Sequence, residues 1–391
     1  MTEQNRCIST EENGLRWLDA DAARLRMNAL GAGADPFFFL FSYDRSRCLV
    51  ERTDDIPSTE LLFDFPRMNN SSSLGSSPNQ SLRSSSDQSL GSSSNQSLIS
   101  SSDQSLGSSH GQSLSGSSDR SLNSPGGGPS FTWQPHPLTE AEYFEKFRIV
   151  HRNMLAGNSY LANLTCRIPL DTDLTMHEIF LRSSALYKLW LRDRFVCFSP
   201  ETFVRISAAG IISSCPMKGT ISCSVPNARQ VLMADEKEAA EHATIVDLIR
   251  NDLSRVASRV TVKRYRYVDT LHTNSGDILQ TSSEIAGQLP SGYRRHLGDI
   301  IMEQLPAGSI TGAPKRKTVE IIRRAENYDR GFYTGVAGVC KDGVVDSCVL
   351  IRFIDREDGK LYFKAGGGIT ARSDWRKEYN EIIEKTYVPI C

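Results

Sequence analysis

Apolar positions along the chain follow several distinct spacings. Residues 36–44, Pro-Phe-Phe-Phe-Leu-Phe-Ser-Tyr-Asp, form a continuous apolar run too short and too aromatic for a helix, and they predict a buried strand that needs a sheet to join. From 139 to 155 the apolar residues recur at helical spacing behind a threonine suited to cap the first turn. Gly157-Asn158 closes that helix before a strand-like stretch at 160–170. Further strands are predicted at 195–198 and 210–215, and helices at 236–253 and 316–326. Because strands and helices mix without regular β-α-β alternation, the pattern predicts an α+β fold and not a doubly wound sheet.

One stretch breaks every structural period. Between about 69 and 130 serine dominates, and Gln-Ser-Leu recurs at 80, 88, 96, 104 and 112, returning as Arg120-Ser121-Leu122. One leucine in eight polar positions cannot bury enough apolar surface to offset chain entropy, and no solenoid or coiled coil has this repeat. The tract is expected to be a disordered insert, a tolerated expansion of a surface loop, ending in Gly126-Gly127-Gly128-Pro129. The chain thus divides into a short amino-terminal part at 1–68, the insert at 69–130, and a main domain at 131–391 that the amino-terminal strands join.

Composition narrows the partners. With 45 basic and 46 acidic residues in 391, no net field steers the chain toward nucleic acid or an anionic membrane. No segment approaches the roughly eighteen apolar residues of a spanning helix, and the start resembles no signal peptide, so a cytoplasmic location is expected. The nine cysteines are scattered, with no CxxC pair and no zinc-like cluster, and read as reduced, mostly buried thiols.

Candidate chemistry begins with acids on apolar faces. In the helix at 236–253, Glu238 and Glu241 continue the stripe of Ile245 and Leu248 by the i, i+3, i+4 rule. Near the carboxyl end, Glu378 and Glu381 repeat the arrangement beside Ile382. Carboxylates directed at a core repel one another unless a cation neutralises them, and magnesium prefers such oxygens. The alternative is two exposed helices whose acids meet solvent or lysines. Glycine-rich segments at 306–315 and 365–370 are read as loops, the first leading into a helix whose amino end suits an anion, although neither matches a P-loop or a Rossmann fingerprint. Lys218 follows a predicted strand in Cys215-Pro216-Met217-Lys218-Gly219-Thr220; a desolvated lysine beside other cations becomes an amine nucleophile. Glu201, in Ser199-Pro200-Glu201, is a candidate acid.

Taken in order, Ser199-Pro200-Glu201, Pro216-Met217-Lys218-Gly219-Thr220, the helix at 236–253, the segments at 306–315 and 330–335, Ile351-Arg352-Phe353, and residues 365–389 resemble the chorismate-utilising enzymes, the anthranilate, aminodeoxychorismate, isochorismate and salicylate synthases. The resemblance covers essentially everything after residue 140. It implies a large αββα sandwich with the active site between its sheets, and magnesium held through Glu238, Glu241, Glu378 and Glu381. Tyr333, Arg352 and the amides around Gly312 and Gly367, with Ser309, Gly368 and Thr220 beside them, match positions that hold the carboxylates of chorismate. Glu201 matches the general acid that protonates the departing C4 hydroxyl.

Position 218 separates the branches of that family. Anthranilate, isochorismate and salicylate synthases typically carry alanine there, whereas aminodeoxychorismate synthases carry the lysine present here. Leu161 stands where isochorismate and salicylate synthases place a water-activating lysine. The resemblance therefore implies amination of chorismate to 4-amino-4-deoxychorismate through a covalent Lys218 intermediate, for 4-aminobenzoate and folate synthesis. Relatives often have glutamine at 161 and histidine at 280, where this chain has Leu161 and Gln280, so contacts to the substrate differ locally. With no glutamine-hydrolysing triad evident, ammonia is expected from a separate glutaminase subunit. The short amino-terminal part gives no expectation of tryptophan feedback. The alternatives are an anthranilate synthase large subunit, which Lys218 opposes, and a catalytically silent scaffold that binds partners through its serine tract, which the intact set of acids opposes.

Overall fold

A computed structural model describes residues 9–71, 131–271 and 277–388 of the chain. The serine-rich repeat lies outside the described residues. Just before it, Met68–Asn69 forms a short strand, and the Asn70 amide accepts from Phe63 N–H and donates to the Leu61 carbonyl.

Two antiparallel sheets, of eleven and nine strands among the described residues, dominate the molecule. The first runs in the order Ser9–Glu12, Leu15–Leu18, Cys48–Arg52, Phe37–Phe41, Val336–Lys341, Val344–Val349, Thr202–Ile206, Ile211–Ser214, Ile278–Gln288 and Met217–Ser222, with Ser258–Leu271 also on Ile278–Gln288. The second runs Gly312–Ala313, Leu161–Thr172, Lys360–Ile369, Phe353–Glu357, Phe195–Ser199, Tyr187–Leu191, Leu61–Phe65 and Met68–Asn69, with Trp133–Pro135 also on Leu161–Thr172.

Alternation along single strands assigns the layers. In Phe37–Phe41, Phe38 and Leu40 pack between the sheets, whereas Phe37, Phe39 and Phe41 face the helices Ala20–Gly31, Glu236–Ser254 and Leu297–Glu303. A strand buried on both faces reads as an uninterrupted apolar run, which is why no polar residue breaks this one. Each such phenylalanine contributes about 1.5–3 kcal/mol of burial. On the second sheet, Phe195 and Cys197 face inward while Val196 and Phe198 pack under the helices Glu140–Leu155, Met176–Arg182, Lys315–Glu326 and Trp375–Glu384. Helices outside and two sheets inside make the αββα sandwich. The Glu140–Leu155 helix starts at Thr139 with a full capping box, Thr139 and Glu142 each bonding the other's backbone.

Two elements differ from the sequence reading. The glycine run near 365–370 is not a loop: Gly366, Gly367 and Gly368 lie in the strand Lys360–Ile369, in register with Thr165, Leu164 and Asn163. A local reading takes glycine as a breaker, but here glycine lets other groups approach a strand closely. Lys218 follows the strand Ile211–Ser214 as expected but itself lies within a further strand, Met217–Ser222, with an irregularity between Lys218 and Thr220 at Gly219, whose φ is +74°.

Candidate active site

The strand carrying Lys218 closes one end of the first sheet, and the glycine strand of the second sheet comes opposite it. The approach is tight. A methyl group at Gly368 would stand 2.8 Å from Lys218 Nζ and 3.3 Å from Leu161 Cδ1, so the amine, the leucine and the bare strand share one small space. Lys218 is the one polar tip in that contact.

Helices from both outer layers deliver carboxylates to this space. Glu238 and Glu241 come from the helix Glu236–Ser254, capped by Asp235, and Glu378 and Glu381 from the helix Trp375–Glu384, capped by Asp374. Lys218 Nζ is 3.5 Å from Glu241 Oε2, and a methyl at Gly219 would meet Glu238 Oε2 at 3.2 Å. Gly367 faces the other pair, its missing methyl lying 3.6 Å from Glu378 Oε2 and 4.0 Å from Glu381 Oε1.

Two lysines that sequence reasoning passed over join them. Lys237 Nζ bridges the helices, 3.2 Å from Glu378 Oε1 and 3.5 Å from Glu241 Oε1. Lys385 pairs with Glu381 and donates to the Gly366 carbonyl at 3.2 Å. Each stands four residues from an acid it meets, so the i, i+4 rule could have found them. In part, then, the acids are neutralised by half-buried lysines.

Charge states follow from this crowding. Burial favours the neutral amine of Lys218, but Glu241, Glu381, Glu238 and Glu378 together outweigh it and hold its pKa above the ordinary lysine value. The sequence reading placed this lysine among cations that lower its pKa; the structure surrounds it with acids that raise it. Burial pushes Glu378 and Glu238 up, and Glu241 pushes Glu238 further. Burial pushes Glu381 up, but Lys385, Lys218 and Lys237 together outweigh it and hold its pKa below the usual value.

Glu201 stands apart from this cluster. Its Oε1 accepts a 2.6 Å hydrogen bond from the Ser309 hydroxyl, and burial raises its pKa although Ser309, Lys218, Arg352 and Lys385 all favour the charged form. A buried carboxyl whose pKa is raised holds its proton more readily than a free one, which suits proton donation to a leaving group.

The remaining predicted residues scatter in role. Arg352 has a left-handed backbone, φ 54°, with its guanidinium 5.4 Å from the Tyr387 ring and its Nε buried without a hydrogen bond. Tyr333 is buried between the sheets against Phe353. Gly312, in the two-residue strand Gly312–Ala313, presses on Leu161: a methyl there would lie 1.8 Å from the Leu161 carbonyl oxygen. Thr220 is exposed on its strand. Ser309 contacts Glu201, a link invisible to sequence because 108 residues separate them.

For a cation, the donor set is chemically apt, all carboxylate oxygens as magnesium prefers. Glu241 Oε1 is buried and makes no hydrogen bond, and the Lys237 ammonium between Glu241 and Glu378 marks a point where positive charge already sits. Among the described residues no three His, Cys, Asp or Glu side chains are gathered closely enough to hold a metal as they stand. Nor does any described helix have the length and apolarity to cross a membrane.

A sandwich that brings a lysine, a buried acid and two acid-bearing helices together has groups suited to nucleophilic and acid–base chemistry. The chain belongs to the chorismate binding enzyme family, whose model matches residues 2–390. It is 49% identical over 255 residues to an uncharacterized PabA-like protein of Haemophilus influenzae, covering 65% of this chain and 77% of that one. It is 34% identical over 268 residues to aminodeoxychorismate synthase component 1 of Salmonella typhimurium, covering 65% of this chain but 57% of the other. Among solved structures, anthranilate synthase component I of Streptococcus pneumoniae superposes with a TM-score of 0.56 at 26% identity, over 65% of this chain and 58% of that one.

Proposed function

We propose that this chain aminates chorismate to 4-amino-4-deoxychorismate, the step that leads to 4-aminobenzoate and folate. Similarity to both aminodeoxychorismate and anthranilate synthases leaves that choice to the site. One observation carries it: the Lys218 amine projects into the cleft against Gly368, with Leu161 alongside instead of a second base.

In this reading Lys218 first gives up a proton to solvent, and its neutral amine attacks C2 of chorismate while the C4–O bond breaks and the hydroxyl departs as water, Glu201 supplying its proton. Ammonia then attacks C4 and expels the lysine nitrogen, restoring the enzyme once Lys218 and Glu201 regain their starting protons. Two allylic displacements replace one difficult substitution. Magnesium held by Glu238, Glu241, Glu378 and Glu381 would add positive charge that attracts the substrate's ring carboxylate and eases loss of the Lys218 proton. Arg352 supplies a planar guanidinium for a carboxylate. Ammonia is delivered by a glutaminase subunit or taken from solution.

The test is incubation with chorismate, magnesium and ammonium. The expected product becomes 4-aminobenzoate only after a separate lyase is added, and direct release of anthranilate refutes the reading. Mass spectrometry of the protein trapped with chorismate should find an adduct on Lys218. Lys218→Ala should lose the adduct and at least about a thousandfold in kcat/KM, since the covalent route has no substitute nucleophile.

A further inference from the structure

The helix that carries Glu238 and Glu241 also reaches, at its far end, the loop that carries Ser309. Asp252 lies in its last turn and is 7% exposed. Lys315 Nζ meets Asp252 Oδ2 at 2.9 Å and donates to the Gln304 carbonyl at 3.0 Å, while Gln304 Nε2 donates to the Asp252 carbonyl at 3.1 Å. Gln304 and Lys315 flank the segment 305–314, which is no simple loop but holds the helical turn Gly308–Thr311 and the strand Gly312–Ala313, so both ends are fastened to one residue. The segment also leans on the carboxylate: a methyl at Gly308 would stand 2.8 Å from Asp252 Oδ2 and 3.0 Å from Leu248 Cγ. The next residue is Ser309, whose hydroxyl donates to Glu201. Glu201, Asp252, Gln304, Gly308 and Ser309 line one cavity of about 20 Å³, room for about a single water.

We infer that Asp252 is a positioning residue for the acid: by stapling the segment 305–314 it fixes the Ser309 hydroxyl against Glu201. The inference rests on the reading of Glu201 as the proton donor. No catalytic contact is assigned to Asp252 itself. Its carboxylate acts through two links, the Lys315 ammonium at the far end of the segment and Gly308 beneath the turn, while Gln304 holds the Asp252 backbone carbonyl. The charged groups that face Glu201 are Lys218, Arg352 and Lys385, and the staple leaves each in place. The Ser309 hydroxyl favours the Glu201 carboxylate, so loosening it must raise the Glu201 pKa.

The experiment compares the full-length chain with Asp252→Asn, nearly isosteric, and with Lys315→Met, which cuts the same staple from the other side. Glu201 is titrated by infrared difference against Glu201→Gln, a readout that needs no turnover. In both variants its titration should move to higher pH, as in Ser309→Ala, and Asp252→Asn combined with Ser309→Ala should move it no further. With chorismate and ammonium, kcat should fall about tenfold while KM for chorismate stays within about twofold. A Glu201 titration unmoved in both staple variants overturns the inference, as does a shift that adds fully to that of Ser309→Ala. If the native chain shows no turnover, the amination reading fails separately, and the infrared titration still decides the staple.

Discussion

Gly366 and Gly368 are two positions apart on one strand, and a methyl group at each meets a different kind of obstacle. At Gly366 it would lie 2.6 Å from Thr165 Cγ2 and 2.9 Å from the Leu164 carbonyl, where part of the obstacle is backbone that cannot yield. At Gly368 its nearest neighbour is Lys218 Nζ, the far end of a flexible side chain. Gly366→Ala should therefore lower the melting temperature, whereas Gly368→Ala should leave it nearly unchanged and cut turnover by displacing the amine. Equal stability losses in the two variants would contradict this placement of Lys218. Glu201 gives the matching pH prediction. Burial raises its pKa and the protonated form is the donor, so kcat/KM falls as pH rises through that value, and Glu201→Gln should remove this limb along with most of the activity. At this scale the acids and Lys218 were legible from spacing and motif, because helical periodicity and a short run of residues are local properties. The Ser309 contact and the sign of the Lys218 shift were not, because both depend on groups brought together only by the fold.

Elements with strong local signals, such as the capped helix Glu140–Leu155 and the phenylalanine strand, match the pattern that predicts them. Gly312–Ala313 carries no such signal: its pairing with Ala162 and Leu161 exists because the chain returns after some 150 residues. What holds that return is a buried hub. Arg330 pairs with Glu326 at 2.6 Å and donates to the carbonyls of Ile310 at 3.0 Å and Asn163 at 2.7 Å, joining the loop to the strand Leu161–Thr172. Both side chains are almost fully buried. Removing one partner strands the other charge, so Arg330→Met should cost about 3–5 kcal/mol in urea unfolding. Adding Glu326→Gln should recover part of that loss, since it removes the stranded carboxylate. A double variant no more stable than Arg330→Met would show that the carbonyl contacts, and not the ion pair, dominate.

The amino-terminal part feeds both sheets, its strands up to Cys48–Arg52 entering the first and Leu61–Phe65 with Met68–Asn69 entering the second, so it shares the inter-sheet core and cannot be a separate lobe. The second sheet also constrains the serine-rich tract. Met68–Asn69 lies at one edge and Trp133–Pro135 pairs at the other with Leu161–Thr172, seven inter-strand steps apart. At about 4.8 Å per step the connection crosses about 34 Å, which needs roughly ten fully extended residues. The 59 residues at 72–130 exceed that several-fold. Replacing them with a twenty-residue glycine-serine linker should keep turnover and raise stability by at most ~1 kcal/mol, the modest entropy of a shorter loop. A five-residue linker adds only about 18 Å, which falls short while Asn70 and Thr132 keep their contacts, and should pull those contacts or Met68–Asn69 out of place or exchange the amino-terminal part between two chains. Thermal melting and size-exclusion chromatography separate these cases. A five-residue variant that melts and elutes like the native chain would mean that the two strands do not lie at opposite edges, and the strand order of the second sheet would have to be redrawn.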